Sequence, residues 1–175
     1  CTILLVVLGF LSLKFFSTST LSNTKVSGTY SGNYVWDGEI IITGDTTILG
    51  NLTILPNTTV KFEVSDDQNS GDEVPPDGYN DRDPTRLKSY TTTHSSLFVL
   101  RNLTAKGSTD KKITFTSAAQ NPHYADWEAI IFQGDGSILD NVVVEYSRNG
   151  INPIGDQPRS SIQNSEVNHT LWGAI

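Results

Sequence analysis

The sequence predicts an all-β solenoid, a chain wound into stacked coils whose short strands run parallel from one coil to the next. Three observations carry this reading. One unit occurs twice near the C-terminal end, the β-forming runs are short and divided by turn dipeptides, and no 3.6-residue apolar stripe appears after Ser22. The repeat sets Ser137 to Ile151 over Ser161 to Ile175 without a gap. Ile138 then falls on Ile162, Asp140 on Asn164, Val143 on Val167 and Ile151 on Ile175, an offset of 24 residues (138 to 162). A fixed period of this size suits a coil that buries one apolar row and needs the next coil to cover it.

In chain order, residues 1–22 open with an almost wholly apolar run, Thr2 to Phe16, followed by Ser/Thr-rich sequence. The run is short of the roughly twenty residues a membrane span needs, and reads as the apolar core of a secretory signal peptide. Export, to a secreted or cell-surface location, is the working expectation. Residues 23–175 form the solenoid domain, and a chain of 175 residues can bury a sizeable core in one domain. From Gly38 to Phe62 apolar residues alternate with Thr or polar ones, and Gly44-Asp45, Gly50-Asn51 and Pro56-Asn57 mark turns between strands. The pattern returns from Ser96 to Gly107, where Asn102-Leu103-Thr104 repeats Asn51-Leu52-Thr53, and again from Lys112 to Ala118. Asp126 to Phe132 follows, and its Trp127-x-Ala-Ile recurs as Trp172-x-Ala-Ile, which assigns both tryptophans to coil turns or packing. The apolar edge at Ile175 calls for further coils beyond it.

Between the two β-rich stretches lies a long acidic loop insertion, residues 64–95. The net charge of −7 is local to the short segment from Glu63 to Asp83: Glu63, Asp66, Asp67, Asp72, Glu73, Asp77, Asp81 and Asp83 are accompanied there only by Arg82. Outside that segment acids and bases balance, so no basic face exists for a phosphate backbone and no nucleic acid is expected as partner. The lone Cys1 excludes an intrachain disulfide framework and a cysteine-based zinc site. Asp77, Asn80, Asp81 and Asp83 cluster hard oxygen donors around Gly78, the ligand set calcium prefers, although their spacing matches no EF-hand. Calcium is the one cofactor the sequence suggests, and a solvated acidic loop is the plainer alternative.

The succession GDTTILGNLTILPNTTVKF, LFVLRNLTAKGSTDKKITFTSA, DWEAIIF and SILDNVVVEYSRNGI resembles the N-terminal coils of secreted right-handed parallel β-helix repeat proteins of the pectate-lyase-like superfamily. The resemblance covers roughly Ile40 to Ile175 apart from the insertion, and departs from the family at Asn57, where glycine is usual; Asn tolerates the left-handed conformation such a turn requires. It implies a right-handed parallel β-helix with further coils after Ile175. The family holds surface adhesins, envelope modules, and polysaccharide lyases and hydrolases, so fold is better specified than activity. Its lyases place carboxylates on calcium and an Arg or Lys base on one coil face, which makes Asp140, Glu145, Arg148, Asp156, Arg159, Glu166 and His169 the catalytic candidates. The offset of 24 sets Glu145 beside His169 as a potential acid–base pair with Arg148 nearby; outward polar residues on a solenoid are more often merely solvated.

Ser/His/Asp nucleophile motifs, phosphate-cradling glycine loops and His-based metal spacings are absent from the sequence. Tyr34 and Trp36 are the free candidates for stacking on sugar rings. The sequons at Asn51, Asn57, Asn102 and Asn168 are about as many as chance supplies. The leading expectation is a secreted or cell-surface β-helix module with a structural or adhesive, carbohydrate-facing role and polysaccharides or surface glycans as partners. The alternative is a polysaccharide lyase or glycoside hydrolase with its active coils mostly beyond residue 175.

Overall fold

A computed structural model describes residues 17–64, 94–155, 159–173 and 175. The strands are β1 (Thr18–Tyr30), β2 (Asn33–Ile48), β3 (Leu52–Ile54), β4 (Thr59–Phe62), β5 (Leu97–Val99), β6 (Leu103–Lys106), β7 (Ile113–Ser117), β8 (Ile130–Phe132), β9 (Ile138–Asp140), β10 (Val142–Glu145), β11 (Ile151–Pro153), β12 (Ser161–Gln163) and β13 (Glu166–Asn168). Every ladder between them is parallel. The all-β parallel β-helix expected from the sequence is therefore the fold, and no helix occurs among the described residues.

The coil has three faces. Tyr34–Trp36 of β2, then β3, β6, β9 and β12 stack to form the first. Glu39–Ile42 of β2, β4, β7, β10 and β13 form the second. The third comprises Thr46–Ile48 of β2 with β5, β8 and β11. β2 is long because it runs round all three faces without a break, and β1 lies against it over the same course. β1 opens at Thr18, inside the Ser/Thr stretch that the sequence reading assigns to the leader, so the coil starts ahead of residue 23. Residues 1–16 lie outside the described residues.

Alternate residues of each strand point inward, as period two requires. The inward rows are continuous: Trp36–Ile54–Ala105–Leu139–Ile162 on the first face, Ile40–Val60–Phe115–Val144–Val167 on the second, and Ile48–Val99–Phe132 on the third. Ile162 and Val167 pack partly buried against the rest, which is buried outright. Each fully buried Val, Leu, Ile or Phe of these rows contributes about 1.5–3 kcal/mol by leaving water.

The register corrects the period read from the sequence. Leu139 pairs with Ile162 and Val144 with Val167, an offset of 23 (139 to 162) and not 24. One residue of slip turns every side chain to the other face: Ile138 and Val143, read as inward, point outward, and Leu139 and Val144 are the buried ones. The two Trp motifs part company as well, because Trp172 stands two places beyond the position equivalent to Trp127. Trp127 is fully buried and bridged to Ser147, whereas Trp172 is 55% exposed and donates its backbone N–H to the Arg148 carbonyl.

The corners follow a positional logic of their own. At the first corner, between first and second faces, Asn23, Gly38, Asn57, Asn141 and Asn164 all take positive φ, between 47° and 71°. This left-handed turn is open to Gly and tolerated by Asn. Among the described residues only the coil of β6 and β7 omits it, bridging Ser108 to Lys111 instead.

Candidate functional site

The second corner, between second and third faces, gathers most of the unusual chemistry. The acidic insertion leaves the second face after β4 and re-enters as His94-Ser95-Ser96 ahead of β5. One coil on, residues 118–126 make another excursion. Ser117 Oγ donates to Asp126 Oδ2 at 2.6 Å and the His123 N–H donates to the same oxygen at 3.0 Å, closing that loop. Trp127 then enters the core, stacked on Phe62 with ring centroids 3.9 Å apart and planes within 3°, and its Nε1–H donates to the Glu145 carbonyl at 2.9 Å.

Glu128 is the centre of this corner. Its backbone N–H donates to the Ser95 carbonyl, and its own carbonyl accepts the Asn149 N–H, so three successive coils are tied through it. Its Oε1 accepts from Arg148 Nη1 at 2.8 Å and from Asn149 Nδ2 at 2.6 Å. Both charged side chains are only 12% exposed. The other oxygen, Oε2, is buried with no hydrogen-bond partner among the described residues. Burial lifts the Glu128 pKa above its ordinary 4.5; attraction to Arg148 and the hydrogen bonds from Asn149 and Arg148 oppose the rise, and Asp45 adds to it. Asp45 itself accepts the Ser96 N–H at 2.9 Å. A largely desolvated acid beside a guanidinium can hold or release a proton within the fold, but its enclosure makes it a clasp between coils before anything else.

On the outside of the same corner Tyr146 and His169 stack at 5.0 Å and 17°. They occupy equivalent places in adjacent coils, offset 23 (146 to 169), and both have positive φ, 61° and 53°. For a bulky residue such as Tyr146 this is an outlier.

The three leading catalytic candidates thus share one corner but hold separate partners. Arg148 is engaged with Glu128, and Glu145 accepts the Thr116 hydroxyl at 3.3 Å. Glu145 is in register with Asn168, and His169 turns to Tyr146, so the expected Glu145–His169 pair is not formed. Asp140 lies at the first corner, where Asn141 Nδ2 (2.9 Å), Asn164 Nδ2 (2.9 Å) and Gln163 Nε2 (3.1 Å) donate to its carboxylate. The bonds from Asn164 and then Gln163 hold its pKa below the ordinary 3.8. Glu166 pairs with Lys112 on the second face, which lowers its pKa, and Arg159 is exposed. Asp156 and the four expected calcium ligands Asp77, Asn80, Asp81 and Asp83 lie outside the described residues.

Of the two expected sugar platforms, Trp36 is fully buried in the core row of the first face, so its ring is covered by protein. Tyr34, in register with core Leu52, points the same way and packs edge-on against Tyr30 at 5.4 Å. Neither is a free platform; Tyr146 and His169 are the aromatic rings stacked at an outer corner. Glu128, Asn149 and Asp45 went unmarked in the sequence. The signal available was opposite charge at equivalent corner places, Glu128 and Arg148 twenty residues apart (128 to 148), and it is legible only once each coil's length is known. No protein-family model, curated protein or solved structure matches this chain.

Proposed function

We propose that this chain is part of a secreted or cell-surface protein of the right-handed parallel β-helix kind, structural or adhesive in role, that lies along carbohydrate. What supports the reading is the outward side of the second face. There Lys61, Thr116, Glu145 and Asn168 form one row, in which hydrogen-bonding groups recur at each coil step of about 4.8 Å, and Thr59, Thr114, Val143 and Glu166 form another, interrupted by Val143. The Tyr146–His169 stack borders these rows where the face turns, an arrangement suited to sugar hydroxyls and the apolar face of a sugar ring. Arg148, the base a lyase reading would use, is largely enclosed with Glu128, so the non-enzymatic role leads. The test is retention of the full chain on a panel of immobilised neutral and acidic polysaccharides, beside a Tyr146→Gly variant. Retention that drops in the variant supports the reading, and no retention on any polysaccharide counts against it.

A further inference from the structure

At the third corner, where the third face of one coil passes to the first face of the next, a groove of about 300 Å³ is lined by Ser31, Gly32, Asn33, Leu49, Gly50, Asn51 and Arg101. Asparagines run up this corner as a ladder: Asn33 Oδ1 accepts the Asn51 N–H at 2.9 Å, and Asn51 Oδ1 accepts the Asn102 N–H at 3.2 Å. The ladder fixes which way each amide faces. With both oxygens committed, the Nδ2 groups of Asn33 and Asn51 are left as donors with no partner among the described residues. Arg101 is exposed and makes no ion pair with a carboxylate among the described residues, Asp135 of the adjoining coil included. Gly50 lets the two turns that form the groove pack closely, because a Cβ there would stand 2.0 Å from the Gly32 carbonyl oxygen.

The groove therefore presents a guanidinium and two unpaired amide donors, with the Ser31 hydroxyl able to donate as well, while each of the two amide oxygens already accepts a ladder bond. Such a set favours a ligand that only accepts. We propose that this groove binds an oxyanion, a carboxylate or sulfate group, with Arg101 supplying the charge and the amides of Asn33 and Asn51 the directed donors. The same chemistry serves a free ion and an anionic group carried on a polymer. The inference stands apart from the carbohydrate reading, since it concerns a different corner.

Sodium sulfate, sodium acetate and a size-defined sulfated oligosaccharide are titrated into ¹⁵N-labelled full chain, with sodium chloride matched for ionic strength. Saturable shifts of the Asn33 and Asn51 side-chain amide signals with sulfate or acetate, and not with chloride, are expected. A lower Kd for the oligosaccharide assigns the site to polymer-borne groups, and equal Kd values assign it to free ions. Arg101→Gln should weaken binding about tenfold, the scale of one charge-assisted hydrogen bond. Asn51→Asp keeps an acceptor for the Asn102 N–H but replaces the outward donor by a negative oxygen, and should abolish binding while the Asn102 amide signal stays in place. Chloride reproducing the shifts, or both variants binding sulfate as the wild type does, overturns the proposal.

Discussion

Replacing Arg148 by Met isolates Glu128 in a place where its side chain is 12% exposed. The carboxylate then has two recourses. Remaining ionised without its cation costs about 3–5 kcal/mol. Taking a proton costs about 1.4 kcal/mol for each pH unit above its ordinary 4.5. Over the interval to pH 7 the second route costs roughly 3.4 kcal/mol, so it limits the loss at neutral pH. The sign follows from the direction of the shift. An acid whose folded pKa is raised makes its stabilising contribution below its unfolded value, and loses it as pH rises through the folded one. Removing Arg148 takes away the largest influence opposing that rise, so the folded value climbs further and the window widens upward from 4.5. Urea unfolding at several pH values between 4.5 and 7.5 should therefore show Arg148→Met close to the wild type at the acid end. The deficit should grow by up to about 1.4 kcal/mol per unit as pH increases. The double change Glu128→Gln, Arg148→Met should flatten the dependence, because Gln can still accept from Asn149 and carries no charge. A deficit in Arg148→Met that is the same at every pH would refute the reasoning.

Two further outcomes test other parts of the coil. With the offset of 23, Val144→Thr buries a hydroxyl in the second-face core and should lose about 1–3 kcal/mol, while Val143→Thr extends the outward Thr59–Thr114 row at little cost; equal losses in denaturant titrations would reject the register. Asp140 should titrate below 3.8 by carboxyl ¹³C NMR, and its contribution to stability should be present above 3.8 and disappear as pH falls through the folded value, because three amide groups donate to its ionised form.

The fold was legible because its signals are local. Turn dipeptides and β-branched alternation from Gly38 to Phe62 are properties of neighbouring residues, and parallel stacking is the arrangement that lets such short strands complete their hydrogen bonds. The register was not legible, for a physical reason. Ser137-Ile138 and Ser161-Ile162 look alike in letters and set Asp140 over Asn164, but what fixes the pairing is the left-handed corner residue, Asn141 over Asn164. Asp140 does contact Asn164, through its side chain and not by sharing its place in the ladder. The site suffered from the same slip: with coils one residue out, Glu145 seemed to face His169, and the partnership of Glu128 with Arg148 could not be seen. Trp36 shows the complementary failure. Aromatics suit both cores and sugar platforms, and only alternation with the correct starting phase separates the two.

The three corners differ in how their turns are built, and that difference bears on Tyr146. Amides and glycine fill the first, where positive φ comes easily. Side-chain amides continue from coil to coil in the third. The second places Ala125, Tyr146 and His169 in left-handed conformations, which cost a residue with a Cβ about 1–2 kcal/mol. Such strain persists only when the surroundings impose it, and it concentrates where geometry serves a role. Tyr146→Gly and Tyr146→Ala separate strain from contact, since both remove the ring stacked on His169, a loss of about 0.5–1.5 kcal/mol. Gly also relieves the left-handed strain, against its own unfolded-state entropy of about 0.5–1 kcal/mol, so its stability should stay near the wild type. Ala keeps the strain and should be the less stable of the two. If the ring is kept at the corner for a ligand, both variants lose polysaccharide retention equally despite this gap in stability. Retention that instead tracks stability would make the corner a matter of folding alone.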